Sequence, residues 1–90
     1  MKITVACVSY MEDQNTPSRP ALAEWELSDH PTKEELGQKA IAEYETDDEE
    51  ERGRLEVEFG SEWGDIEVTG FCGVHLFVTL PKELRDIVWT

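Results

Sequence analysis

The chain has few thiols, few cations and no long apolar run. Cys7 and Cys72 are its only cysteines, too few for a disulfide framework, so reduced and mostly buried thiols are expected. No segment approaches the roughly 18 consecutive apolar residues that a membrane helix requires. Lys2-Ile3-Thr4-Val5-Ala6-Cys7-Val8 at the start is strand-like and lacks the longer apolar run and small-residue cleavage site of a secretory signal. A soluble, cytoplasmic protein is the expectation. Cations are the third scarcity: 8 Lys and Arg stand against 21 Asp and Glu, for a net charge of −13. Nucleic acids and the anionic inner membrane surface would repel such a chain, which excludes them as direct partners and leaves basic proteins as the natural complement.

What is present is concentrated. Twelve of the 25 residues from 43 to 67 are acidic and only Arg52 and Arg54 are basic, so this stretch alone carries −10 of the −13. Residues 1–20 sum to zero, with Lys2 and Arg19 against Glu12 and Asp13. A general adaptation to solubility would spread charge evenly. Like charges about 6 Å apart repel by roughly 0.7 kcal/mol even in water, so the clustering calls for a use. The 39% hydrophobic content, including Trp25, Trp63 and Trp89, is adequate for one core in a single domain of 90 residues.

Residues 2–10 carry apolar side chains in both alternate sets and read as a well-covered strand. Residues 11–20 collect Glu12, Asp13, Asn15, Pro17, Ser18 and Pro20 and read as a mobile loop. Ala21, Ala23, Trp25 and Leu27 then alternate with Glu24 and Glu26, a strand with its carboxylates outward. Thr32-Lys33-Glu34-Glu35 after Pro31 is a capping box that starts a helix. Leu36, Ala40, Ile41 and Tyr44 recur along it, and the helix ends near Thr46 or as late as Gly53. On that reading the run Asp47-Asp48-Glu49-Glu50-Glu51 sits at a helix C-terminus, where carboxylates oppose the macrodipole. Residues 54–59 and 65–69 alternate as strands, placing Glu56, Glu58, Asp65 and Glu67 on wet faces. The segments 60–64 and 70–73 are glycine-bracketed turns. Residues 74–80 are nearly all apolar, a central strand, and Pro81 opens a short helix. The expected fold is α+β, in the order β-β-α-β-β-β-α, with the main helix on a mainly antiparallel sheet.

Catalytic and metal chemistry find little support. Asp47, Glu49, Glu51 and Glu58 fall at positions 1, 3, 5 and 12 of an EF-hand spacing, but Arg52 replaces the turn glycine and Glu58 belongs to a strand. Cys72-Gly73-Val74-His75 offers two zinc ligands where a closed site needs four, with Cys7 and His30 as distant completing residues. Cys72 with His75 has no orienting third group or oxyanion loop, and Ser9, Ser28 and Ser61 have no histidine at a recognisable spacing. No enzyme, metal or cofactor is expected.

The outward pairs Glu24 and Glu26, Glu56 and Glu58, and Asp65 and Glu67 would form one acidic surface if their strands share a sheet, continued by Asp47, Asp48, Glu49, Glu50 and Glu51. Carboxylates on neighbouring strands lie about 5 to 7 Å apart, close to the spacing of phosphates along a nucleic acid. Glu62 and Trp63 lie in the turn beside this surface. Trp63 is either an exposed interface anchor or a lid on the end of the core, whereas Trp25 and Trp89 read as core. In size, acidity and lack of enzymatic motifs, the chain resembles the small acidic anti-defence inhibitors of phages and mobile elements, notably anti-CRISPR proteins and DNA mimics. That resemblance covers general character and transfers no residues. It implies a monomeric or dimeric inhibitor, in the host cytoplasm if phage-encoded, that occupies the nucleic-acid site of a basic protein or ribonucleoprotein complex. The alternative is an acidic adaptor domain, such as a halophile's, whose charge serves solubility.

Overall fold

A computed structural model describes residues 1–11, 16–71 and 73–89. The expectations placed on Glu12, Asp13 and Cys72 lie outside the described residues. The described chain runs β1 (Lys2–Met11), β2 (Thr16–Pro17), β3 (Ala21–Glu26), α1 (Lys33–Glu43), α2 (Glu49–Arg52), β4 (Glu56–Ser61), β5 (Gly64–Thr69), β6 (Val74–Thr79) and α3 (Lys82–Trp89). The architecture is α+β, with every strand pairing antiparallel. Across the sheet the order is β1, β6, β5, β4, while β2 and β3 both border β1. Tyr10 and Met11 pair simultaneously with β2 and β6, and Ala6 and Cys7 with β3 and β6, so β2 and β3 share the edge of β1 away from β6.

Alternation along the strands gives the sheet two different faces. Val5, Cys7, Trp25, Ile66, Val68, Leu76 and Val78 point to one side, where they meet Leu36, Ala40 and Tyr44 of the α1 segment and Leu84 and Val88 of α3. Leu36, Ile66, Val5, Val68 and Val78 are completely enclosed, and each such aliphatic stabilises the fold by about 1.5–3 kcal/mol. Among the described residues, no helix packs on the opposite face. It is this open face that presents the candidate site.

The start of α1 follows the capping logic in part. Thr32 Oγ1 accepts from Glu35 N at 3.1 Å, but the Glu35 carboxylate turns to Ser28, accepting from its N–H at 2.8 Å and its hydroxyl at 2.6 Å. Those hydrogen bonds hold its pKa below the usual carboxylate value. The helix ends at Glu43, with Tyr44 as its C-cap.

Three local expectations change. The segment after β1 contributes a two-residue strand, because Thr16 and Pro17 pair with Met11 and Tyr10. The β4–β5 turn is shorter than its glycines suggest: Ser61 pairs with Gly64, leaving Glu62 and Trp63 as the connecting residues, and Gly60 supplies a φ of 76° within β4. Trp89 is 55% exposed rather than core, its ring lying over Gly60 and its indole N–H directed at Asp65.

Candidate interaction surface

The acidic run does not end a helix; it begins one. Asp48 is the N-cap of α2, and its Oδ1 accepts from Glu50 N at 2.9 Å and Glu51 N at 3.2 Å. Glu49, Glu50 and Glu51 occupy the first turn, where carboxylates favour the helix dipole instead of opposing it. The expectation that this run sits at a helix C-terminus and opposes its dipole is therefore overturned. Glu51 is also structural, because its Oε2 accepts from Phe71 N at 3.0 Å and from the Tyr44 hydroxyl at 3.5 Å, tying α2 to the β5–β6 turn. Glu50 pairs with Arg54 one turn later at 3.5 Å. Asp47 and Glu49 remain exposed.

The sheet acids divide differently from the expected single patch. Glu24 and Glu26 share the open face with Glu56, Glu58 and Glu67, but β3 and β4 are opposite borders of the sheet, with β1, β6 and β5 between them. Four strand spacings separate them, about 19 Å. On the β3 side the charge is partly answered: Lys2 pairs opposite Glu26, whose carboxylate lies 3.5 Å from the Met1 ammonium. The β4 side lacks that relief. Glu58 pairs directly opposite Glu67, and Glu56 stands on the same face opposite Thr69. Glu67 has His75 at 3.6 Å, whereas Glu24, Glu56, Glu58 and Glu62 make no ion pair with another described residue.

Register aligns two rows across this face. Val8, Phe77, Glu67 and Glu58 form one, and Pro17, Tyr10, His75, Thr69 and Glu56 the other. Each begins apolar at β1 or β2 and ends in a carboxylate at β4. His75 stacks on Phe77 at 6.1 Å between ring centroids and leans on Tyr10 at 6.3 Å. Trp63, 74% exposed, reaches the apolar end, where Val8, Tyr10, Pro17, Trp63 and Phe77 line a groove of about 580 Å³. Trp63 is therefore exposed and is not a lid buried on the end of the core. The apolar groove itself has no clear signature in the sequence, since its residues come from three strands and a turn.

Asp65 leaves the surface altogether. Its side chain is 7% exposed, and it accepts from Leu80 N at 2.7 Å and Trp89 Nε1 at 2.7 Å, with Arg85 Nε at 3.3 Å. It joins β5 to α3 and is removed from the set of partner-binding candidates. The candidates that remain on the open face are thus Glu56, Glu58 and Glu67, with Glu62 and the exposed Trp63 in the β4–β5 turn. Among the described residues no three His, Cys, Asp or Glu side chains converge to hold a metal ion, and no helix is long and apolar enough to cross a membrane. In comparisons with known proteins, the chain matches no family model and has no significant counterpart among curated proteins or solved structures.

Proposed function

We propose that the protein is a small inhibitor that binds a basic, nucleic-acid-recognising protein or ribonucleoprotein complex and blocks its nucleic-acid site. It acts without catalysis or a cofactor. One observation carries this reading: Glu58 and Glu67 face each other on adjacent strands with Glu56 on the same face. Carboxylates about 5 Å apart repel by roughly 0.8 kcal/mol in water and by more at a protein surface, and directly opposed like charges weaken a sheet. The acidic run at α2 has its own structural explanation; in this pair His75 stands 3.6 Å from Glu67, whereas Glu58 makes no ion pair with another described residue. A basic partner would convert the repulsion into attraction, both steering encounter and selecting against neutral surfaces.

The test is capture of basic nucleic-acid-binding proteins from a host lysate at low salt, followed by gel shift with the purified partner. Glu56→Lys with Glu58→Lys should weaken binding at least about tenfold through lost attraction and new repulsion. Glu83→Lys with Asp86→Lys on exposed α3 positions should leave it nearly unchanged. Asp48 stays intact in every variant because it caps α2. Nucleic acid and this protein should exclude each other from the partner. Simultaneous occupancy, or a β4 reversal that binds like wild type, would favour an acidic adaptor whose charge serves solubility.

A further inference from the structure

We infer that the open face recognises a particular kind of segment: an extended basic peptide of the partner that seats one apolar side chain in the Val8, Tyr10, Pro17, Trp63 and Phe77 groove and lays an arginine or lysine over Glu58 and Glu67. This rests on the reading above and adds to it the specificity element. Charge alone would attract any cation; an apolar socket beside the charge selects a sequence.

The cross-sheet register supplies the ruler. Phe77 stands opposite Glu67, which stands opposite Glu58, so the aromatic floor of the groove and the outermost carboxylate are two strand spacings apart, about 10 Å. An extended chain advances about 3.3 Å per residue, which places the cation about three residues from the apolar anchor. The second row runs alongside, from Tyr10 through His75 and Thr69 to Glu56, with three strand spacings between the groove residue and the carboxylate. Trp63 in its two-residue turn exposes 74% of its surface, the amphipathic area that anchors of protein interfaces use. A second copy of this chain is the weaker occupant. It would carry its own −13, and a twofold contact through this face would bring the carboxylate borders toward each other.

A synthetic seven-residue peptide with arginine at both ends, leucine at the centre and serine or glycine between satisfies the spacing in either chain direction. Its binding is measured by fluorescence anisotropy of an end-labelled copy at low salt, beside one peptide with central alanine and one with terminal glutamates. Wild-type protein should bind the leucine peptide about tenfold more tightly than the alanine peptide and should not bind the glutamate peptide. Trp63→Ala should weaken the leucine peptide about tenfold and abolish the difference between leucine and alanine. Glu58→Gln should weaken both arginine peptides alike and flatten their salt dependence. Circular dichroism of both variants confirms the fold. Equal binding of the leucine and alanine peptides to wild type would overturn the groove and leave the charge-based inhibitor intact. Failure to bind either arginine peptide would also overturn the groove, while the gel shift decides the inhibitor reading separately. Binding of the glutamate peptide as tightly as the arginine one would refute the charge recognition in both.

Discussion

Replacing Asp65 with alanine separates two physical pictures of the same carboxylate. As an exposed member of an acidic face it would be dispensable, with an effect within about 0.5 kcal/mol. In the structure it is enclosed, with Leu80 N and Trp89 Nε1 each donating to it at 2.7 Å and Arg85 Nε at 3.3 Å. The three partners are not equal. Trp89 and Arg85 are both exposed, so water replaces most of what they lose. The Leu80 N–H lies in a buried residue, 2% exposed, and an orphaned buried donor costs about 1–3 kcal/mol beyond the lost charge-assisted bond. Asp65→Ala should therefore destabilise by about 2–4 kcal/mol, a large part of the roughly 5–13 kcal/mol expected of a domain this size.

The measurement is urea denaturation followed by tryptophan fluorescence, in which Asp65→Ala should lower the midpoint at unchanged slope. Asp65→Asn keeps an acceptor for Leu80 N and should lose about half as much. Trp89→Phe, which removes only the rehydratable partner, should cost under about 1 kcal/mol. A stability of Asp65→Ala within about 0.5 kcal/mol of wild type would refute the buried-node reasoning, as would a Trp89→Phe loss equal to that of Asp65→Ala.

Two further outcomes are expected. A methyl group at Gly70 would overlap the Tyr44 hydroxyl and come within 2.7 Å of Glu51 Oε2, so Gly70→Ala should cost about 1–3 kcal/mol, whereas Gly53→Ala, whose nearest neighbours are at 3.6 Å, should change denaturant stability little. Burial, aided by the charge of Glu43, pushes the Cys7 thiol up to about 11. A pKa raised by folding adds stability that is complete below the unfolded value near 8.5 and is lost as pH rises toward 11. Wild type should accordingly lose on the order of 2 kcal/mol more than Cys7→Ala between those limits, measured by denaturation under reducing conditions.

The alternating segments made the sheet legible because a residue's face depends only on parity along its strand. Glu56 and Glu58 are outward and Val57 and Phe59 inward, as the pattern requires. The capping residue Thr32 was equally readable, since an N-cap is a local device. Asp48 followed by Glu51 three residues later is the same kind of signal, but it sits in a charge run with no apolar periodicity behind it, which hid the start of α2. Asp65 could not be placed by parity. The partners that bury it, Leu80 and Trp89, are 15 and 24 residues away, and regular pairing passes over Gly60 and Asp65 where Gly60 adopts a positive φ. Strand order was similarly non-local. It sent Glu24 and Glu26 to the border opposite Glu56 and Glu58, and it assembled the apolar groove from residues far apart in sequence.

The acids of residues 43–67 thus include two physically different sets, and only one of them enters the proposed binding. Glu43 accepts from the Trp25 indole at 3.0 Å, Asp48 caps α2, Glu51 holds the β5–β6 turn and Asp65 holds α3. These four carboxylates support the fold, and charge reversal at any of them would confound a binding experiment with unfolding. Glu56, Glu58 and Glu67 perform no comparable service for the backbone; Glu58 and Glu67 oppose each other across a strand pair at a net cost. Composition alone spreads the proposed binding equally over all twelve acids. The geometry concentrates it on three carboxylates at one border of the open face, adjoining an exposed tryptophan and an apolar groove, and that smaller set is the one whose reversal isolates attraction to a partner from stability of the chain.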